Sequence, residues 1–299
     1  MKDALRVGEP VYSQERKQLV SSGWCAQLLR LQGEDGLWNR SLYSGKWIST
    51  TYSLYLLKLL GLPPFNPQAL KGCNCLLAHG LYRQQEIRLT RRQEIQDLGV
   101  SALVLSICCY FGLEDASLAR LADFLIGRQC DAGNWLPNES PASAAYTFET
   151  TLIVLEGLLQ FSQRFPAETR DPFAVAVAKG QEFLLKHNLY LKQGKPIKRQ
   201  WTSFSFPLYW FYDVLTALDY FYNFQRNKDH RLQSGIDLLR KRQNQDGSWA
   251  LGVRHAGKSY FEMETPGKPS RWNTLRALRV LEWWHPGDTQ DATWIQTSM

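Results

Sequence analysis

A glutamine, three residues, a glycine, one residue and a tryptophan recur three times in this chain: Gln32, Gly36 and Trp38; Gln129, Gly133 and Trp135; Gln243, Gly247 and Trp249. A fixed spacing met three times in 299 residues is the signature of a repeat, so the chain must stack copies of one supersecondary unit. Each copy follows an amphipathic run, Leu19 to Leu31, Leu118 to Ile126 and Leu232 to Leu239, and the motif therefore reads as a helix end. The glycine lets the chain reverse where a side chain would strain the turn, and Asp35 and Asp246 just before it are ordinary turn chemistry. The tryptophan offers a large flat surface to a neighbour, and the glutamine amide can bond backbone groups left open at a helix terminus. These residues are expected to hold the repeat together and to do no chemistry.

A second self-similarity runs from Lys71-Gly72 to Leu81-Tyr82 and again from Lys179-Gly180 to Leu189-Tyr190, with Leu-Leu and His held in register between them. Together the two patterns divide the chain into five helical hairpins. Amphipathic outer helices are expected near 13–31, 67–79, 116–128, 173–187 and 231–242, and more apolar inner helices near 47–61, 93–112, 144–162, 207–224 and 270–285. No strand pattern stands out. Inner helices that are apolar nearly all round must be covered on every side, which a closed ring does better than an open superhelix. The expectation is an all-α protein, an α/α toroid formed as a single domain over residues 1–299.

The 44% hydrophobic and 13% aromatic content supplies ample core, and 11 Trp, 14 Phe and 13 Tyr must line either a core or a cavity. The six cysteines lie in apolar helical stretches and form no Cys-x-x-Cys pair, which points to reduced thiols, a cytoplasmic protein and no metal site. The net charge of +7 gathers in polar loops, at Lys192, Lys195, Lys198 and Arg199 and at Arg88, Arg91 and Arg92, with no nucleic-acid motif beside them. An anionic head group on a small ligand is the more economical partner. The N-terminus carries no secretory-type apolar core, and the apolar run Gly99 to Gly112 is too short to span a bilayer; peripheral membrane contact stays open, as does the oligomeric state.

The three Gln/Gly/Trp copies, with Lys179-Gly180 and Phe183-Leu184 matching half of the same pattern, resemble the repeat of squalene cyclases and protein prenyltransferase β-subunits. The resemblance implies outer helices that carry the motif, inner helices around a central cavity, and an isoprenoid chain within it. The segment 254–264 resembles bacterial members of the same repeat family. The chain departs from the family in its chemistry. It has no Asp-x-Asp-Asp acid stretch and no Asp-x-Cys before an inner helix for zinc, so no cofactor is expected.

Candidate site residues follow from the inner-helix register. Aligning the apolar patterns puts Thr150, Asp213 and Asn273 in one column, preceded by Glu149, Tyr212 and Trp272; Trp47, Thr51 and Asp97 begin the first two inner helices. Thr51 and Asn273 read equally as helix caps. Glu149 and Asp213 stand among aromatic residues, where burial would raise a carboxyl pKa and suit it to proton donation. The stretch from Trp201 to Asp213, with Tyr209 and Tyr212, is dense in rings whose faces can hold a cation. The long loop after Trp249 adds Arg254, His255 and Glu262, and Arg271 lies beside the last inner helix; His255 is a candidate acid or base, and the arginines are candidate anion ligands or partners of Glu262 and Glu264. The leading expectation is an acid-initiated isoprenoid cyclase or isomerase with Asp213, Glu149 and His255 as catalytic groups. Two other readings share these features: a toroid that binds a lipid or a partner without catalysis, and a carbohydrate-active α/α barrel with paired acids and stacking tryptophans.

Overall fold

The computed structural model describes residues 9–89, 97–136, 144–166, 171–224 and 228–286, and over them the chain is all-α with short two-stranded ribbons. The helices are α1 (Glu9–Gln18), α2 (Gly23–Arg30), α3 (Thr50–Leu59), α4 (Pro67–Gly80), α5 (Leu98–Phe111), α6 (Ser117–Ile126), α7 (Ala144–Arg164), α8 (Asp171–Lys186), α9 (Val214–Phe224), α10 (Gln233–Lys241) and α11 (Arg271–Trp284). Antiparallel ribbons pair β1 (Leu81–Tyr82) with β2 (Glu86–Ile87), β3 (Leu191–Lys192) with β4 (Lys195–Pro196), and β5 (Trp249–Ala250) with β6 (Pro269–Ser270).

Three expectations need correction. The helix expected over 13–31 is two helices, broken between Gln18 and Gly23, where Gly23 takes φ +70°. The inner helix expected from 207 starts only at Val214, because the aromatic stretch before it is laid out as a loop. The ribbons were not foreseen: each strand is two residues long, too short for an alternating pattern to register. Arg91 and Arg92 lie outside the described residues.

The motif works as a set of hydrogen bonds repeated three times. The indole N–H of Trp38 donates to Leu28 O at 2.8 Å, that of Trp135 to Leu125 O at 2.7 Å, and that of Trp249 to Leu239 O at 2.8 Å, so each ring closes the C-terminal turn of its own outer helix. Their backbone N–H groups donate to Thr50, Thr151 and Thr274 Oγ1, at 3.0, 3.1 and 3.0 Å, which ties each outer helix to the inner helix that follows. All three rings are fully buried. Burying an aromatic of this size removes about 150–250 Å² from water, about 4–6 kcal/mol at roughly 25 cal/mol per Å².

The chain falls into two compact units: unit 1 takes residues 1–12, 184–256 and 262–299, and unit 2 takes 13–183 and 257–261. In unit 2, α5 is buried almost throughout and packs along α7 and against α3. A Cβ on Gly157 of α7 would stand 2.7 Å from Ala102 O, so the glycine sets how closely α5 and α7 approach. Flanking helices seat on the motifs: Gln32 and Gln129 Nε2 each donate to their own turn glycine, Gly36 O at 2.9 Å and Gly133 O at 2.8 Å, and reach Gln68 O in α4 and Ala176 O in α8, the next outer helices. Gly72 and Gly180 then face Trp38 and Trp135. The Lys-Gly pattern is thus the counterpart of the Gln/Gly/Trp pattern. In unit 1, α9 and α11 pack together with α10 against α9, and β5 joins the third motif to the start of α11. No helix among the described residues is long and apolar enough to cross a membrane.

Candidate functional site

Unit 1 gathers most of the candidate residues around the loop 201–213, an aromatic segment pinned at several points. Trp201 packs its ring on Tyr212 with centroids 4.7 Å apart, Phe206 stacks on Trp272 at 4.7 Å, and Phe211 stacks on His255 at 3.8 Å with Trp210 behind it at 4.3 Å. Phe204 O accepts from Asn273 Nδ2 at 3.0 Å and from the Gly252 N–H at 2.6 Å. Tyr209 is buried and holds φ +56°, a left-handed conformation that a bulky residue seldom takes. Tyr212 donates its hydroxyl to Leu189 O at 2.8 Å.

Asp213 lies under this loop, 1% exposed, and closes the N-terminus of α9. Its Oδ1 accepts from Thr216 N at 2.8 Å and from the Thr216 hydroxyl at 3.0 Å, and its Oδ2 from Ser205 N at 3.0 Å. Burial pushes its pKa up, while the Arg276 guanidinium and these three donors pull the other way; burial wins. Thr216 also accepts from Arg276 Nη2 at 2.8 Å, so a guanidinium, a hydroxyl and a carboxyl form one chain. Arg276 and Arg279 both bind Asp219, whose pKa their charges hold down despite its burial. Sequence reasoning missed Thr216, Asp219, Arg276 and Arg279; the available signal was two arginines and an aspartate inside otherwise apolar helices.

His255 is half-buried against Phe211, and burial together with Lys198 lowers its pKa to about 4. Its imidazole is therefore neutral at pH 7, a proton acceptor and not a donor. Tyr209 and Tyr212 hydroxyls are pushed up by burial and stay protonated. Arg254 pairs with Glu262, both exposed, and Glu264 accepts from Ser270 Oγ and from the Arg271 backbone N–H at 2.8 Å, so the acids of this loop are engaged with its own groups. Asn273 is fully buried and spends its amide on Phe204 O and Ala250 O.

The other candidates belong to unit 2. Glu149 is 3% exposed in the second turn of α7, next to Phe148, whose ring lies 5.0 Å from Phe183. Asp97 caps α5 through Val100 N at 3.1 Å, and burial raises its pKa. Thr51 is fully buried and donates to Leu42 O at 2.7 Å, a loop tie. Trp47 packs edge-on to Tyr52 with centroids 4.8 Å apart, and its backbone N–H donates to Lys258 O at 2.5 Å. Among the described residues no group of three or more His, Cys, Asp or Glu is placed to hold a metal ion.

No family model matches this chain, and no curated protein matches it. Among solved structures the chain is similar to a protein from Actinoplanes, with a TM-score of 0.48 and 15% identity over 90% of this chain and 87% of that one. It is also similar to the type II terpene cyclase MstE from Scytonema, with a TM-score of 0.35 and 13% identity over 90% of this chain and 97% of that one. At this distance neither likeness bears on residue roles.

Proposed function

We propose that this chain is an isoprenoid-processing enzyme of the cyclase or isomerase kind, in which Asp213 protonates an alkene and so starts the reaction. The observation that carries the reading is Asp213 itself: a carboxyl sealed under an aromatic loop, with burial raising its pKa, so that it can hold a proton ready to give. Its Oδ2 accepts one hydrogen bond and keeps a lone-pair direction for that proton. When the proton leaves for an alkene carbon, the C=C π bond is consumed, a carbocation forms, and Asp213 becomes a carboxylate. The Ser205 and Thr216 N–H groups, the Thr216 hydroxyl and the Arg276 charge behind it all stabilise that anion more than the neutral acid.

Rings in the 201–213 loop supply faces that attract a cation by about 0.5–2 kcal/mol each. His255, neutral and stacked on Phe211, takes the last proton and regenerates an alkene. The reaction so written needs neither a metal nor a cofactor. An anionic head group would meet Arg254 on the charged loop and Arg271 at the start of α11. The six free cysteines fit a reducing compartment, and we place the enzyme in the cytoplasm.

The test uses squalene and geranylgeranyl diphosphate as probes, with extraction of any isoprenoid that copurifies. Asp213→Asn is expected to lower turnover by at least about 100-fold, the low end for a general acid, while Glu149→Gln stays near wild type. Wild-type turnover in Asp213→Asn with a normal fold contradicts the reading, as does a wild-type protein that neither converts a probe nor carries an isoprenoid.

A further inference from the structure

A polar seam runs along the contact between α9 and α11 in unit 1. Asp213 at the head of α9 and Thr216 and Asp219 within it stand three residues apart, as do Asn273, Arg276 and Arg279 on α11. Residues at that spacing are neighbours on one side of a helix. Arg276 Nη2 donates to the Thr216 hydroxyl at 2.8 Å, and that hydroxyl donates to Asp213 Oδ1 at 3.0 Å. Arg276 Nε donates to Asp219 Oδ2 at 3.2 Å. Arg279 reaches the same carboxylate from the next turn, through Nε to Oδ1 at 2.7 Å and through Nη2 to both oxygens. The side chains of Asp219, Arg276 and Arg279 are only 13%, 13% and 20% exposed, so little water screens their charges from one another.

Stability does not account for such a seam. Taking ions out of water is costly, and apolar residues of the same volume commonly serve as well. The hydrogen bonds give each member a separate part. Asp219 turns the Arg276 fork toward Thr216 and, through the hydroxyl, toward Asp213. Its own negative charge works against that end, because a nearby anion makes a carboxyl hold its proton harder. Burial pushes the Asp219 carboxyl up, but Arg279 and Arg276 bring it below the usual carboxylate range, so it is ionised at neutral pH and Arg279 offsets its charge. Tyr212, beside Asp213, is pushed up by burial and by the Asp213 charge and stays protonated.

We propose that Asp219 and Arg279 are positioning residues for Asp213, a compensated pair that aims Arg276 at the Thr216 hydroxyl without opposing the charge Arg276 delivers. The assignment rests on Asp213 being the acid named above. As the proton leaves, the developing carboxylate meets a hydroxyl already polarised by a guanidinium, and the anion behind that guanidinium is already offset by Arg279.

The experiment follows the protonated-carboxyl stretch of Asp213 by infrared spectroscopy of the full-length protein through a pH titration, the band being assigned by its loss in Asp213→Asn. Asp219→Asn keeps an acceptor for Arg276 and removes the negative charge; it should lower the midpoint by about one pH unit, the size of a unit charge acting through a partly buried interior. Arg279→Met should raise it by about as much. The double variant Asp219→Asn with Arg279→Met should return close to wild type, which keeps the test open where a single variant fails to fold by circular dichroism. Asp219→Ala gives Arg276 nothing to bind at that place and should titrate above Asp219→Asn. Midpoints that stay put, that move in the same direction in Asp219→Asn and Arg279→Met, or that leave the double variant displaced by a full unit overturn the proposal. The titration needs no turnover, so the expected shifts in a protein that converts no isoprenoid would sink the acid chemistry and leave this coupling standing.

Discussion

A threonine hydroxyl illustrates how much of this protein is decided by single atoms. Thr50, Thr151 and Thr274 each accept the backbone N–H of a motif tryptophan. In α9 the equivalent place, four residues before the leucine on which a key glycine packs, holds Val214, and the hairpin before it has no tryptophan to serve. Thr151→Val keeps the shape and strands a buried N–H, so it should cost about 1–3 kcal/mol, read as a lower midpoint in urea. A midpoint unchanged from wild type would mean that water replaces the hydroxyl. His255 makes a pH prediction. Its folded pKa of about 4 lies below the free value, so between the two the unfolded chain binds more protons and stability falls as pH drops from about 6.5 toward 4. His255→Gln should flatten that part of a melting-temperature profile; an unchanged slope would assign it to other groups. The motif residues were legible in the sequence because spacing marks them, and the aromatic setting of Asp213 made its burial legible. Ser205, Thr216 and Arg276 were not, since two of these three act on Asp213 from outside its own helix and no local pattern records that.

Among elements, the decisive fit is between turn and following helix. The Lys-Gly repeat and the Gln/Gly/Trp repeat look unrelated as strings, yet Gly72 and Gly180 are flat against Trp38 and Trp135 because a side chain has no room there. A Cβ on Gly180 would come within 2.7 Å of the Trp135 ring and 2.8 Å of Leu155. Gly180→Ala should therefore destabilise by about 1–3 kcal/mol through overpacking. Gly247→Ala should cost only the left-handed strain, about 1–2 kcal/mol, since nothing but the Gln243 amide at 3.9 Å lies near it. Gly133→Ala combines both effects at φ +88°, against the Lys179 backbone, and should exceed either; thermal melts that rank Gly247→Ala worst would contradict this picture. Helix positions were readable from apolar periodicity, and the structure adds the caps that hold two of them, Asn66 on α4 and Ser270 on α11. Residues 207–213 misled that reading, because a run of aromatic residues looks like buried helix while the loop bonds to other segments: Gly252 and Asn273 donate to Phe204 O, and Tyr212 donates to Leu189 O.

At the scale of the molecule the chain crosses between its units more than once. Unit 1 is built from three stretches and unit 2 from two, with 257–261 returning to pack beside Trp47, where Tyr260 donates to Ile48 O at 2.9 Å. Neither unit is one contiguous piece, and urea unfolding should accordingly proceed in a single transition seen alike by far-ultraviolet dichroism and tryptophan fluorescence; two separated transitions would make the units independent. The account depends most on the claim that Asp213 gives a proton to bound alkene carbon. Turnover of an isoprenoid probe in D2O, with the product weighed by mass spectrometry, tests it directly. One carbon-bound deuterium per product is expected from wild type, and no labelled product from Asp213→Asn. Product without deuterium, or the same labelled product from both proteins, contradicts it.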